Sequence, residues 1–172
     1  TAGLGNASGA FSQGKILQTV STTKTDTFSS SAGSENDITG LSASITPSSS
    51  SSKILISAIL SYGGDGNSYG GIYLQDNSSG SYDYTFRADA ANANDGVAMG
   101  RFIATADTEN SYKLKNTSFE FLHSSNTTNA ITYKLRVNCT YGLFKLNRVN
   151  TIDSGAYRSL GTSTLTLMEI AA

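Results

Sequence analysis

Apolar and polar residues alternate with a period of two along most of this chain, the pattern of half-buried β-strands. The clearest run is 130–139. Ile131, Tyr133, Leu135 and Val137 fall on one side, and Thr132, Lys134, Arg136 and Asn138 on the other, which predicts one core face and one wet face. Residues 40–62, GLSASITPSSSSSKILISAILSY, give two more strands. In the first, Leu41, Ala43 and Ile45 alternate with Ser and Thr. The second, 54–60, is apolar at nearly every position and is expected to be buried on both faces. Pro47 and the serines 48–52 are expected to form a solvent-facing loop between the two.

Shorter alternating runs predict strands at 15–20, 25–28, 72–75, 82–88, 97–104, 117–122, 141–147 and 162–170. Between them lie an expected loop at 29–39, a glycine turn region at 63–71 (GGDGNSYGG), a turn at 76–81, and a loop at 89–96 with an Asp-Gly turn signal. No segment shows a helical period with caps. The expected fold is all-β: an antiparallel β-sandwich, jelly-roll-like, of roughly eight to ten strands. Residues 15–172 read as a single sandwich domain. Residues 1–14 (TAGLGNASGAFSQG) read as an arm or linker, either a tail or a segment that orders against a partner.

Composition narrows the class. Of the 172 residues only 15% are charged, against ~25% in ordinary soluble domains, and the net charge is −1. Ser, Thr, Asn and Gly fill the deficit. Such a surface suits extracellular or virion proteins and self-associating subunits, and nothing in it draws the chain to nucleic acid or anionic lipid. No stretch approaches the ~20 apolar residues of a membrane span. The lone Cys139 excludes an internal disulfide and continues the apolar register of its strand, so it is expected in the core.

Candidate chemistry is sparse. His123 is the only histidine, in a serine-rich context without a nucleophile elbow. One Cys and one His fall short of a zinc site. Asp65, Asp76, Asp83, Asp89 and Asp95 lie in or beside predicted loops. They could suit calcium, but they lack EF-hand spacing and serve equally as turn residues. Nothing singles out a pair of carboxylates for glycoside hydrolysis. No catalytic, cofactor-binding or metal-ligating residue is therefore assigned. One cluster stands out: Tyr62, Tyr69, Tyr73, Tyr82 and Tyr84, interleaved with glycine turns and with Asp65, Asn67 and Asp95 nearby. Tyrosine offers a stacking face and a hydroxyl at low entropy cost, and Asp and Asn offer hydrogen bonds. These eight residues form a candidate ligand or partner face. The alternative is that the tyrosines are ordinary strand residues, some of them in the core.

The segments GKILQTV…TKTDTFSSS, GLSASITPSSSSSKILI, NAITYKLRV and LNRVNTID…SLGTSTLTLMEIAA resemble the C-terminal domain of tail fibres and related virion appendage proteins of tailed bacteriophages, especially marine phages. The resemblance runs from about Gly14 to Ala172. It implies a non-enzymatic virion β-sandwich, a homotrimer without cofactor, displayed on a fibre, spike or capsid surface, and the first reading is an appendage or fibre tip that binds host-surface polysaccharide or another receptor. It also implies that the middle of the chain, 62–99, is the most variable part. A fibre shaft normally precedes such a domain, whereas only fourteen residues do here. A second reading is therefore a capsid decoration (cement) protein anchored to other virion proteins through residues 1–14. A third is a virion-associated carbohydrate-active enzyme.

Overall fold

The structure, a computed structural model, describes residues 14–64, 68–85, 113–149 and 160–172, and the backbone pairing of 100–103. It contains eleven strands among these residues: β1 (Ile16–Lys24), β2 (Phe28–Ser31), β3 (Ser34–Ile45), β4 (Lys53–Gly64), β5 (Tyr69–Asp76), β6 (Asp83–Tyr84), β7 (Gly100–Ile103), β8 (Lys115–Ser124), β9 (Ile131–Tyr141), β10 (Leu143–Leu146) and β11 (Ser163–Ile170). Every pairing is antiparallel, and the strands form two sheets.

The pairing is nested. The outermost strands β1 and β11 pair, then β3 with β9, β4 with β8, and β5 with β7. A long two-stranded ribbon folded back on itself gives this order. Wound around a core, it closes through two further pairings, β11 with β4 and β9 with β5. The result is one sheet with the order β1-β11-β4-β8 facing another with the order β3-β9-β5-β7, which is the jelly roll. Short strands β10 and β2 extend the first sheet from the end of β4, and β6 extends the second beside β5.

Alternation fixes what lies between the sheets. Ile54, Ile56, Ala58 and Leu60 of β4 and Leu165 and Leu167 of β11 meet Ile131, Tyr133, Leu135 and Val137 of β9 and Ile72 and Leu74 of β5. Cys139 is fully buried in this cluster. Each fully buried aliphatic contributes on the order of 1.5–3 kcal/mol, so this single layer carries most of the fold.

The structure departs from the sequence expectation at several points. Strand β4 is not buried on both faces: Ile59 is exposed and Leu55 half-buried, because among the described residues no layer covers the outer side of the first sheet. Segment 29–39, expected as a loop, holds β2 and the start of β3. Strand pairing needs backbone groups rather than apolar side chains, and β2 finds them on β10. The glycines at 63–64 end β4 opposite β10 instead of turning the chain. The 48–52 connection is not simply solvated. Pro47 and Ser52 are buried, Ser125 Oγ donates to the Ser52 carbonyl at 2.8 Å, and both the Ser48 amide (2.7 Å) and hydroxyl (2.6 Å) donate to Glu169.

Candidate functional site

The outer surface of the second sheet gathers the aromatic and charged residues. Strand β9 sends Lys134 and Arg136 outward, the wet face that its alternation predicts. On β3 Asp37 stands opposite Arg136 and Glu35 opposite Asn138, and between them the two carboxylates reach both cations. Strand β5 sends out Tyr69, Gly71 and Tyr73, and β6 adds Tyr84. The register of β9 and β5 slips at Tyr69, which pairs with Tyr141 while Gly70 pairs with Cys139. That extra residue moves Tyr141 off the inward register of Cys139 and beside Tyr69. Their rings stack at 5.9 Å with a 14° interplanar angle, and both are exposed, at 39% and 55%.

Charges knit the middle of this face. Arg136 Nη1 donates to Glu35 Oε1 at 2.7 Å, and the Tyr84 hydroxyl donates to the same oxygen at 2.6 Å. Arg136 Nε lies 2.6 Å from Asp37 Oδ1 as an ion pair, although the angle is poor for a hydrogen bond. Lys134 Nζ donates to Asp37 Oδ2 at 2.9 Å and sits 4.0 Å above the Tyr82 ring. Burial pulls the Asp37 carboxyl upward, but Lys134 and Arg136 outweigh it and hold it below the usual range. Burial and the bond to Glu35 raise the Tyr84 hydroxyl to about 12, and burial with Glu35 raises Tyr73 too. Both phenols therefore stay protonated, as donors, at any physiological pH. Tyr73 and Tyr84 pack with ring centroids 5.4 Å apart.

One end of the face is hollowed. In β3 the pairing with β9 jumps from Asp37↔Arg136 to Ser42↔Lys134, so four residues bulge opposite one. Ile38 and Leu41 of the bulge stay in the core, and Gly40 adopts φ +86°, a left-handed conformation that favours glycine. The bulge leaves a depression of about 390 Å³ lined by Asp37, Thr39, Gly40, Ser42, Tyr82 and Lys134.

Of the residues singled out in the sequence, Tyr69, Tyr73, Tyr82 and Tyr84 come together on this face. Tyr62 does not. It is 6% exposed, belongs to the first sheet, and stacks inward on Phe144 at 6.1 Å. Asp65, Asn67 and Asp95 lie outside the described residues. Alternation does not point to Glu35, Asp37 or Tyr141: the polar composition of 29–39 predicts a loop, and the bulge that moves Tyr141 outward carries no sequence signal. Away from the face, His123 Nδ1 shares a 2.7 Å hydrogen bond with the Tyr133 hydroxyl, which joins the two sheets. Burial lowers the His123 pKa, and the nearby Asp76 carboxylate partly opposes that. Among the described residues no cluster of three His, Cys, Asp or Glu side chains could hold a metal ion.

No family model matches the chain, and no curated protein matches it significantly. A chain in the structure of the infectious bursal disease virus Gx strain is similar over 92% of this chain, at 18% identity and a TM-score of 0.42. The match covers 37% of that chain.

Proposed function

We propose that this chain is a non-enzymatic structural subunit of a virus particle, a fibre or appendage component whose second-sheet outer face binds a glycan or receptor on the host surface. The observation that carries this reading is the face itself. Four of the five clustered tyrosines converge with two ion-paired carboxylates on one exposed surface above a rigid sheet. Aromatic rings that stack, phenol oxygens with free lone pairs and pre-oriented carboxylates are groups that suit polyhydroxylated ligands. The phage tail-fibre resemblance of the sequence supports the same reading, and the jelly roll is an architecture found in both capsid and lectin domains.

The opposite face supports self-association, with a homotrimer as the expected form. Its rows read Thr19–Met168–Leu55–Leu122, Ser21–Thr166–Ser57–Glu120 and Thr23–Thr164–Ile59–Ser118 across the first sheet, with Lys53 and Ile170 at one end. Ile59 and Leu122 are exposed, and these rows carry only two charges, Lys53 and Glu120, of opposite sign. Identical copies of such a face meet without like-charge repulsion and can pair Lys53 of one with Glu120 of the next. The occupant proposed is therefore a further copy of this chain.

The test is binding of purified protein to polysaccharide extracted from host cells, together with the position of the subunit in the assembled particle. Binding that is lost on Tyr69→Ala, from a subunit with its second sheet facing outward, supports the reading. A subunit whose second sheet is buried against the capsid, with no glycan binding, would make it a decoration protein instead.

A further inference from the structure

The charge arrangement and the spacing of the tyrosines narrow the ligand class further, on the premise that this face binds a glycan. Four charges occupy its centre: Glu35, Asp37, Lys134 and Arg136. They cancel, and each is engaged by another. Arg136 is held by both carboxylates, and Lys134 is held by Asp37 while its Nζ also covers the Tyr82 ring. Among the described side chains of this face, a uronate or sulfate could reach a cation only by displacing Glu35 or Asp37, leaving that carboxylate without its counter-charge against a partly desolvated surface. An ammonium sugar would face the mirror problem. An uncharged sugar displaces nothing. It can stack its C–H face on a tyrosine ring and donate hydroxyls to the carboxylate lone pairs left over by the ion pairs.

Spacing sets the length. The stacked pair Tyr69–Tyr141 stands at one end of the face, and Tyr82, reached through Lys134, stands at the other. The β5 partners of Tyr141 and Lys134, Tyr69 and Gln75, are six residues apart, which at ~3.3 Å per residue separates the two ends of the face by about 20 Å. Between them stand Arg136, Tyr73 and Tyr84, held together by Glu35 and by ring packing. A single sugar covers one platform. Only an oligosaccharide of several units, lying along the strands, covers both.

We propose that the outer face of the second sheet binds an extended, uncharged oligosaccharide laid along β9, stacked on Tyr69 and Tyr141 at one end and on Tyr82 at the other. Isothermal titration of the full chain tests this, with neutral glucan and mannan oligosaccharides from monosaccharide to hexasaccharide and with uronate- or sulfate-bearing oligosaccharides of equal length. Affinity for the neutral series is expected to climb with length until both platforms are covered. It should exceed that of the acidic series by about tenfold. Tyr141→Ala and Tyr82→Ala should each remove most of the gain from length while leaving the short sugars little changed. Both rings are exposed, and unchanged thermal melting will show that the variants fold. Glu35→Gln, which releases Arg136 from one carboxylate, should shift preference toward the acidic series. Acidic oligosaccharides that bind as well as neutral ones, or monosaccharides that bind as tightly as hexasaccharides, would overturn this proposal while leaving glycan recognition standing. Failure of every glycan to bind would overturn both.

Discussion

At the scale of single residues, the inward end of β11 shows how a polar side chain serves a core. Alternation places Glu169 inward with Leu165 and Leu167, where it is fully buried. Ser48 gives it an amide and a hydroxyl, and Gln18 Nε2 donates to its other oxygen at 2.6 Å. Burial pushes the carboxyl upward, but these donors prevail and bring its pKa down to about 2 from 4.5. A depressed folded-state pKa contributes stability above the unfolded value, and that contribution is lost as pH falls through the folded value. Melting temperature is therefore expected to hold steady above pH 4.5 and to decline between about pH 4.5 and 2. Glu169→Gln should lower it at neutral pH, where each charge-assisted bond is worth on the order of 1.5–3 kcal/mol, and should flatten the acid limb. Calorimetric melts across pH check both, and an unchanged acid limb in the variant would refute the assignment. Nothing in the sequence announces these partners, because Gln18, Ser48 and Glu169 meet only once the sheet has formed. Tyr62, assigned from the sequence to the candidate face, is buried instead: it shares parity with Ile54, Ile56, Ala58 and Leu60, which points it inward. Tyr62→Ala should cost about 3–5 kcal/mol, as large-to-small aromatic truncations do, in denaturant unfolding. Its oligosaccharide affinity, measured on the folded protein, should match that of the parent chain.

At the scale of elements, the long strands could be read from period-two alternation, and β9, β11 and much of β4 lie where it placed them. The misreadings share one cause. Backbone pairing has no side-chain signature, so a polar segment such as 28–37 becomes strand when a neighbouring edge offers hydrogen bonds. Glycine misleads in the same way. Segment 63–71 reads as a turn, yet Gly63 lies in β4 paired with Lys145. A Cβ there would stand 2.7 Å from the Arg148 carbonyl oxygen and 3.1 Å from Val149 Cα, both backbone atoms that cannot swing aside. Glycine is required by this close approach, not by a turn. Gly63→Ala is accordingly expected to destabilise by roughly 1–3 kcal/mol, the range for overpacking. Gly80→Ala, at a left-handed position with nothing near its Cβ, should pay only backbone strain of roughly 1–2 kcal/mol. Urea midpoints of the two variants test the difference in mechanism: Gly63→Ala should lose more than Gly80→Ala, trimming the Val149 side chain should not restore it because the clash is with backbone atoms, and a Gly63→Ala midpoint equal to that of the parent chain would refute the close approach.

At the scale of the whole molecule, the two outer faces differ in chemistry although one topology makes both. Tyrosines and ion pairs collect on the second sheet, and exposed aliphatics such as Ile59 and Leu122 collect on the first. A jelly roll has two such faces back to back, so a subunit can present one to a ligand while burying the other against its copies. Near the first face, Lys53, Leu122, Ile170 and Ala171 also line a depression of about 410 Å³, which gives a partner's side chains somewhere to seat. Burying Leu122 and Ile59 in a subunit contact removes apolar surface from water at about 25 cal/mol per Å², and a charge placed there must be desolvated without a partner. Leu122→Glu and Ile59→Lys are each expected to shift the protein toward monomer in sedimentation velocity, with thermal melting of the subunit little altered because both side chains are solvent-exposed within it. The second-sheet face is untouched by these changes. Per-subunit affinity for a soluble oligosaccharide should therefore stay constant while binding to immobilised polysaccharide falls, since several linked sites bind a surface far more tightly than one. A parent chain that sediments as a monomer at micromolar concentration would refute the self-association. Equal losses of soluble and surface binding in the variants would show that the two faces are not independent.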